Sequence, residues 1–174
     1  QEMSRGLGDV YKRQLFKWRV EQTPDLVAHK FLDRETSYKE LDLLSNKVAN
    51  GLVKEGCKPD TRVAYYGKNS DYFFEFLVGT MKSATVAVGV NWRLAPPEVV
   101  YVLNDSESEV LFVGEEFYPV IEQIKDEIPK VKKIIAVDDS HETFESYIAW
   151  RDSQAEDDPG TVSYTHLTLP TNSG

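Results

Sequence analysis

The chain has 174 residues, 41% hydrophobic and 28% charged, which is enough apolar material for one packed domain or a piece of a larger one. With 20 Lys+Arg against 29 Asp+Glu it carries a net charge of −9 and no basic block, which excludes a nucleic-acid backbone or an anionic membrane surface as its partner. Cys57 is the single cysteine, so an internal disulfide and a cysteine cluster for zinc are excluded, and His29, His141 and His166 are too far apart in sequence for ligand spacing.

In chain order, the first segment to explain is the N-terminal one. Periodic apolar positions run from Leu15 to about Thr161 and stop outside that window. One choice of codons for Asp9–Gln14 has a reverse complement that encodes Val-Ser-Tyr-Thr-His, the residues at Val162–His166. "SRGLGDVYKRQ" and "VSYTHLTLPT" therefore look like one sequencing adaptor translated in opposite directions. Residues 1–14 and 162–174 are expected to be adaptor-derived tails, and residues 15–161 the body. The start "RGLGDVY" imitates a dinucleotide-binding glycine turn, but Tyr11 stands where its last glycine belongs.

Leu15–Val20 is expected to be a short helix ending near Thr23-Pro24, because the residue before a proline is pushed out of the helical region. A strand over Leu26–Leu32 follows. In "TSYKELDLLSNKVANGLVKEG", Ser37 and Glu40 form a capping box, Leu41, Leu44, Val48 and Leu52 recur at helical spacing, and Gly56 supplies a left-handed stop. "RVAYY" reads as a strand ending at Gly67, and Asp71–Lys82 as a helix so apolar that it should be buried. "ATVAVGV" is a continuous apolar run, the pattern of an internal parallel strand covered on both faces, and far too short to span a bilayer.

Pro96-Pro97-Glu98 opens a helix through Leu103, since proline in the first turn loses no hydrogen bond. "EVLFV" is a strand, Pro119–Ile128 a helix, "KKIIAV" a strand and Thr143–Arg151 a helix. This alternation predicts an α/β fold, an open and mostly parallel sheet with helices on both faces.

Short catalytic devices are missing from the body. It has no Gly-x-x-x-x-Gly-Lys-Ser/Thr loop, no Gly-x-Ser-x-Gly elbow and no His-Glu-x-x-His helix. The acidic groups Asp105-Glu107-Glu109, Glu115-Glu116, Asp138-Asp139 and Glu156-Asp157-Asp158 read as solvated turns before they read as cation sites. Tyr65 and Tyr66 suit core packing, and Cys57 an idle thiol. Asn91, Trp92 and Arg93 follow a strand, where ligand loops of such sheets lie, but a turn with Arg93 paired to an acid is the simpler expectation.

"TSYKELDLLSNKVANGLVKEG" and "RVAYYGKNSDYFFEFLVGTMKSATVAVGVNWRLAPPEVVYVLNDSESEVLFV" together resemble the N-terminal subdomain of the adenylate-forming superfamily, the AMP-binding acyl-CoA synthetases and their relatives. Thr36-Ser37-Tyr38 with Glu40-Leu41 matches its first core motif, and Met81 through Val90 its second. Ser83-Ala84 stand there where Ala-Gly is usual, and Gly89 where Pro is usual. "VNWRLAPPEVVYVLNDS" is similar to bacterial fatty-acid:CoA ligases.

The resemblance implies a two-step reaction. A carboxylate attacks the α-phosphate of ATP with Mg²⁺ to give an acyl-adenylate, and CoA thiol then displaces AMP. It also implies a Ser/Thr/Gly-rich phosphate loop ending in lysine after an acidic-Pro pair like Asp158-Pro159. Tyr164-Thr165 falls where that loop begins, but His166-Leu167-Thr168-Leu169-Pro170 follows, without glycine or lysine.

No catalytic, cofactor-binding or metal residue is therefore carried over. The expectation is a cytoplasmic fragment of a fatty-acid:CoA ligase, inactive alone, that binds neither ATP, Mg²⁺ nor CoA by itself and exposes apolar surface meant for missing subdomains. Two other readings stay open. One is a fragment of a carrier-protein-loading adenylation domain. The other is a non-enzymatic flavodoxin-like partner-binding module, disfavoured because "RVAYYGK" and "TVAVGVNWR" lack the acids a receiver domain needs at its strand ends.

Overall fold

The computed structural model describes residues 2–138 and 141–160. Helix α1 (Glu2–Gln22) leads into a hairpin of β1 (Val27–Phe31) and β2 (Arg34–Ser37), then α2 (Tyr38–Lys54), β3 (Arg62–Tyr66), α3 (Asp71–Lys82) and β4 (Val86–Val90). After these come α4 (Pro96–Asp105), β5 (Val110–Val113), α5 (Tyr118–Ile124), β6 (Lys133–Ala136), β7 (Glu145–Ser146) and α6 (Tyr147–Asp152). β3 to β7 form one five-stranded sheet in the order β4-β3-β5-β6-β7, every pair parallel. The α/β class, the parallel sheet and helices on both faces are as the sequence predicts.

Strand alternation divides the core in two. Val63, Tyr65, Val110, Phe112 and Ile135 point to one face, under Val48 and Leu52 of α2, Phe76 of α3, and Tyr147 and Trp150 of α6. Ala64, Tyr66, Leu111, Val113 and Ala136 point to the other, under Val99 and Leu103 of α4 and Ile121 and Ile124 of α5. Each large apolar side chain so buried contributes about 1.5–3 kcal/mol.

α2 starts where its capping box predicts. The Ser37 side chain accepts from the Glu40 backbone N–H at 3.2 Å, and Glu40 Oε2 accepts from the Ser37 backbone N–H at 2.7 Å. The bond from the Ser37 backbone N–H, with a second from the Ser37 hydroxyl to Oε2 at 2.7 Å, holds the Glu40 carboxyl below the usual range. Gly56 has φ +87°, the left-handed conformation expected of it.

Several expectations change. "ATVAVGV" is an edge strand, not an internal one: among the described residues β4 pairs only with β3, and Val86 is 42% exposed. α3 has the predicted bounds but is not buried throughout, since Phe74 is 44% and Leu77 36% exposed. The strand at Leu26–Leu32 turns back at Leu32 into a separate antiparallel hairpin. Leu32 takes φ +53° there, and Arg34 Nε and Nη2 fork onto both Asp71 oxygens at 2.8 Å, tying the hairpin to α3.

The helix at Leu15–Val20 is part of a 21-residue helix that runs back through Ser4–Gln14. Arg13 anchors it, donating to the Lys82 carbonyl at 3.1 Å and pairing with Asp158. The last helix begins at Tyr147 rather than Thr143, because Glu145-Ser146 first join the sheet beside β6.

Candidate functional site

The connections place a topological switch point between β3 and β5: the chain leaves β3 toward β4 on one side, then crosses to β5 on the other. In open parallel sheets the crevice beyond the carboxyl ends at such a point is where ligands bind. Gly67, Lys68 and Asn69 follow β3, Asn91, Trp92 and Arg93 follow β4, Gly114–Glu116 follow β5, and Asp138 lies just after β6.

At this crevice the loops after β3 and β5 touch each other. The Gly114 N–H donates to the Tyr66 carbonyl at 2.9 Å, and a Cβ on Gly67 would lie 3.3–3.4 Å from the Gly114 backbone. The two glycines allow the loops to touch; they do not open a cradle. The Asp138 carboxylate accepts from the Glu115 backbone N–H at 3.0 Å, and Lys68 pairs with Glu116 at 2.7 Å. Lys68 and Arg93 both lie over the Trp92 ring, at 5.4 and 4.7 Å from its centre. Arg93 thus rests on an aromatic face rather than on the acidic neighbour expected for it. Asn91 accepts from the Arg93 backbone N–H at 3.0 Å, a turn contact.

Asp138 takes the Glu115 N–H, and Lys68, in the loop after β3, forms an exposed ion pair with Glu116. No three His, Cys, Asp or Glu side chains among the described residues form a cation site. The acidic groups of the sequence act as turn and surface partners: Glu107 with Lys130, Glu109 with Lys132, Glu156 with Lys47. Asp139 and His166 lie outside the described residues, as do Tyr164 and Thr165.

Tyr65 and Tyr66 are core residues, 3% and 1% exposed. Cys57 is buried, and that burial pushes its thiol up to about 11, so it stays protonated and unreactive at neutral pH. His29 stacks on Phe74 at 4.9 Å, and its burial pulls its pKa below the ordinary value against the pull of Asp71.

Two buried polar clusters escaped sequence reasoning. In the first, Arg151 Nη1 donates to both Glu75 oxygens at 3.2 and 2.9 Å, and the Tyr147 hydroxyl donates to Oε2 at 2.5 Å. An acid, a guanidinium and a phenol in contact could suggest chemistry, but all are under 9% exposed and join α3 to α6. Burial pushes both Glu75 and Tyr147 upward, with Arg151 opposing. In the second, Lys82 Nζ donates to Asp42 Oδ1 and Asn46 Oδ1, each at 2.6 Å, and Asn46 Nδ2 donates to the Glu156 carbonyl at 2.9 Å. Burial lowers the Lys82 pKa, with Asp42 opposing. These partners are 36 to 110 residues apart along the chain, beyond any local sequence signal.

A model described as AMP-binding enzyme matches residues 16–168. The fatty acid–[acyl-carrier-protein] ligase ScoC of Streptomyces coeruleorubidus is 41% identical over 126 residues, which are 72% of this chain and 23% of that protein. The long-chain-fatty-acid–CoA ligase FadD13 of Mycobacterium tuberculosis is 34% identical over 113 residues, 64% of this chain and 22% of its own length. The solved N-terminal domain of FACL13 from Mycobacterium tuberculosis superposes with a TM-score of 0.77 at 30% identity, over 86% of this chain and 37% of that one. This chain thus spans less than a quarter of ScoC and of FadD13.

Proposed function

Because this chain belongs to the AMP-binding enzyme family, we propose that residues 15–161 are the N-terminal part of an ATP-dependent fatty-acid:CoA ligase of the cytoplasm, and that their role is scaffold. The observation that carries this is the conjunction of a family match over residues 16–168 with a switch-point crevice where Gly67 meets Gly114 and Asp138 accepts from the Glu115 N–H, so that the loops contact each other. In this reading ATP, Mg²⁺ and CoA are held by residues after Asp158-Pro159, and the tails at 1–14 and 162–174 are adaptor-derived. Spreading charge over the transferred phosphate needs preorganised donors, and the cation of the loop after β3, Lys68, is an exposed side chain paired with Glu116 rather than a fixed one.

The test is carboxylate-dependent ATP–pyrophosphate exchange with a series of fatty acids. The 174-residue chain is expected to show none, and the longer product of the same gene to show it. Exchange catalysed by the 174-residue chain would end the scaffold reading.

A second reading concerns the acceptor. ScoC carries a carrier-protein ligase name at 41% identity, against 34% for the CoA ligase FadD13. That favours acyl transfer to a carrier-protein thiol as the alternative. Supplying the longer product with CoA and, separately, with a phosphopantetheinylated carrier protein separates the two by which thiol drives AMP release.

A further inference from the structure

Residues 155–160, which follow α6, take neither helix nor strand. Their backbone is nevertheless fixed, by side chains of α2. Asn50 Nδ2 donates to the carbonyls of Ala155 and Asp157 at 2.9 and 2.8 Å, and Asn46 Nδ2 donates to the carbonyl of Glu156 at 2.9 Å. Three successive carbonyls are thus held, whatever side chains their residues carry. Just past this grip Asp158 Oδ1 accepts from the Gly160 N–H at 3.0 Å, with Gly160 at φ +71°, so the path is set through Pro159 as well. Arg13, which also pairs with Asp158, lies in the tail read as adaptor-derived and has no part in this grip.

Lys82 decides which way Asn46 faces. An amide has an acceptor at one end and donors at the other, whereas a lysine has donors only. Lys82 Nζ directs its three donors to the Asp42 carbonyl at 2.9 Å and to Asp42 Oδ1 and Asn46 Oδ1, each at 2.6 Å. Asn46 Oδ1 is thereby turned to Lys82, and Nδ2 to the Glu156 carbonyl. Lys82 is 3% and Asn46 4% exposed. A lysine buried beside one carboxylate is weak support for stability, because desolvation cancels much of the attraction; fixing one arrangement among several is the better-attested use of such a group. The arrangement fixed here is that of residues 155–157. Asn46 and Asn50, four residues apart on one face of α2, reach them side by side. None of the three side chains lies in the loops at the switch-point crevice.

We propose that Asn46, Asn50 and Lys82 are positioning residues for adenylate formation: by holding the carbonyls of residues 155–157 they fix the path on which the chain enters the phosphate loop. This rests on the reading that the loop follows Asp158-Pro159. A loop whose entry is fixed loses less freedom on closing over a triphosphate, so loosening the grip weakens ATP and leaves the fatty acid alone.

Asn50→Asp in the longer gene product tests it. The change keeps the size of the side chain but sets an acceptor against the two carbonyls. In ATP–pyrophosphate exchange the KM for ATP should rise about tenfold, with the KM for the fatty acid within about twofold of the parent. Amides just past Asp158 should exchange hydrogen about tenfold faster, while those of β5 keep their rate. Asn46→Asp, which still accepts from Lys82 but cannot donate to the Glu156 carbonyl, should repeat the pattern, so the claim does not hang on the folding of one variant. A fall in Tm and kcat with both KM values unmoved would overturn the proposal, since that is what a purely structural tie gives. A longer product without pyrophosphate exchange sinks the ligase reading and this claim with it. An active one whose ATP KM ignores both Asp variants sinks the positioning claim alone.

Discussion

Single residues decide where this fold is vulnerable. Glu75 is 3% exposed and depends on Arg151 and Tyr147. Arg151→Met leaves a carboxylate buried without its counter-charge, and is expected to cost about 3–5 kcal/mol in urea unfolding. Replacing both partners, Glu75→Leu with Arg151→Met, should recover much of that loss, because no unpaired charge remains. His29 gives a pH dependence with a definite sign. Its folded pKa is lowered, so the unfolded chain takes up the proton first. Its contribution is complete above ~6.5 and is lost as pH falls from there toward the folded pKa. Unfolding curves should show the 174-residue chain weakening relative to His29→Gln on going from pH 7 to pH 5.5. A constant difference across that range would contradict the assignment.

Helix packing depends on the two glycines of α2 and α3. A Cβ on Gly51 would sit 2.4 Å from Trp150 Cζ2, and one on Gly79 2.4 Å from Val48 Cγ1. Trp150 is 2% and Val48 0% exposed, so neither neighbour can yield. Gly→Ala in a helix normally gains about 1 kcal/mol, but overpacking a closed core costs ~1–3 kcal/mol. Gly51→Ala is therefore expected to destabilise despite its better helix propensity, with a lowered urea midpoint. Ser37→Ala should cost about 1 kcal/mol through the lost cap. These elements differ in how visible they were in the sequence. The cap and the Asp71–Lys82 helix were legible because the signal is local: a Ser-x-x-Glu box, an apolar period. The β1–β2 hairpin was not, because Leu32-Asp33 lacks glycine or asparagine at the turn, and the hairpin is held from outside by Arg34 on Asp71 and His29 on Phe74.

For the whole molecule, strand composition and strand position disagree at β4, and the disagreement is informative. "ATVAVGV" reads as interior because its composition is interior; strand order is set by crossovers, which no local pattern records. The crevice was legible only as far as Asn91, Trp92 and Arg93 following a strand. That Gly67 meets Gly114, and that Lys68 joins Arg93 on Trp92, depends on the parallel register of β3 with β4 and β5. Family membership, by contrast, was carried by ordered segments along the whole body, and the comparisons agree with it.

The central claim, that this body is the first part of an adenylate-forming ligase whose phosphate loop follows it, is tested most directly by reading the source DNA outward through both ends of the body, residues 15–161. The account predicts that codons after Asp158-Pro159 run into a Gly/Ser/Thr-rich loop ending in lysine, in a reading frame several times longer. Codons for "VSYTHLTLPTNSG" followed directly by a stop in the native gene would contradict it.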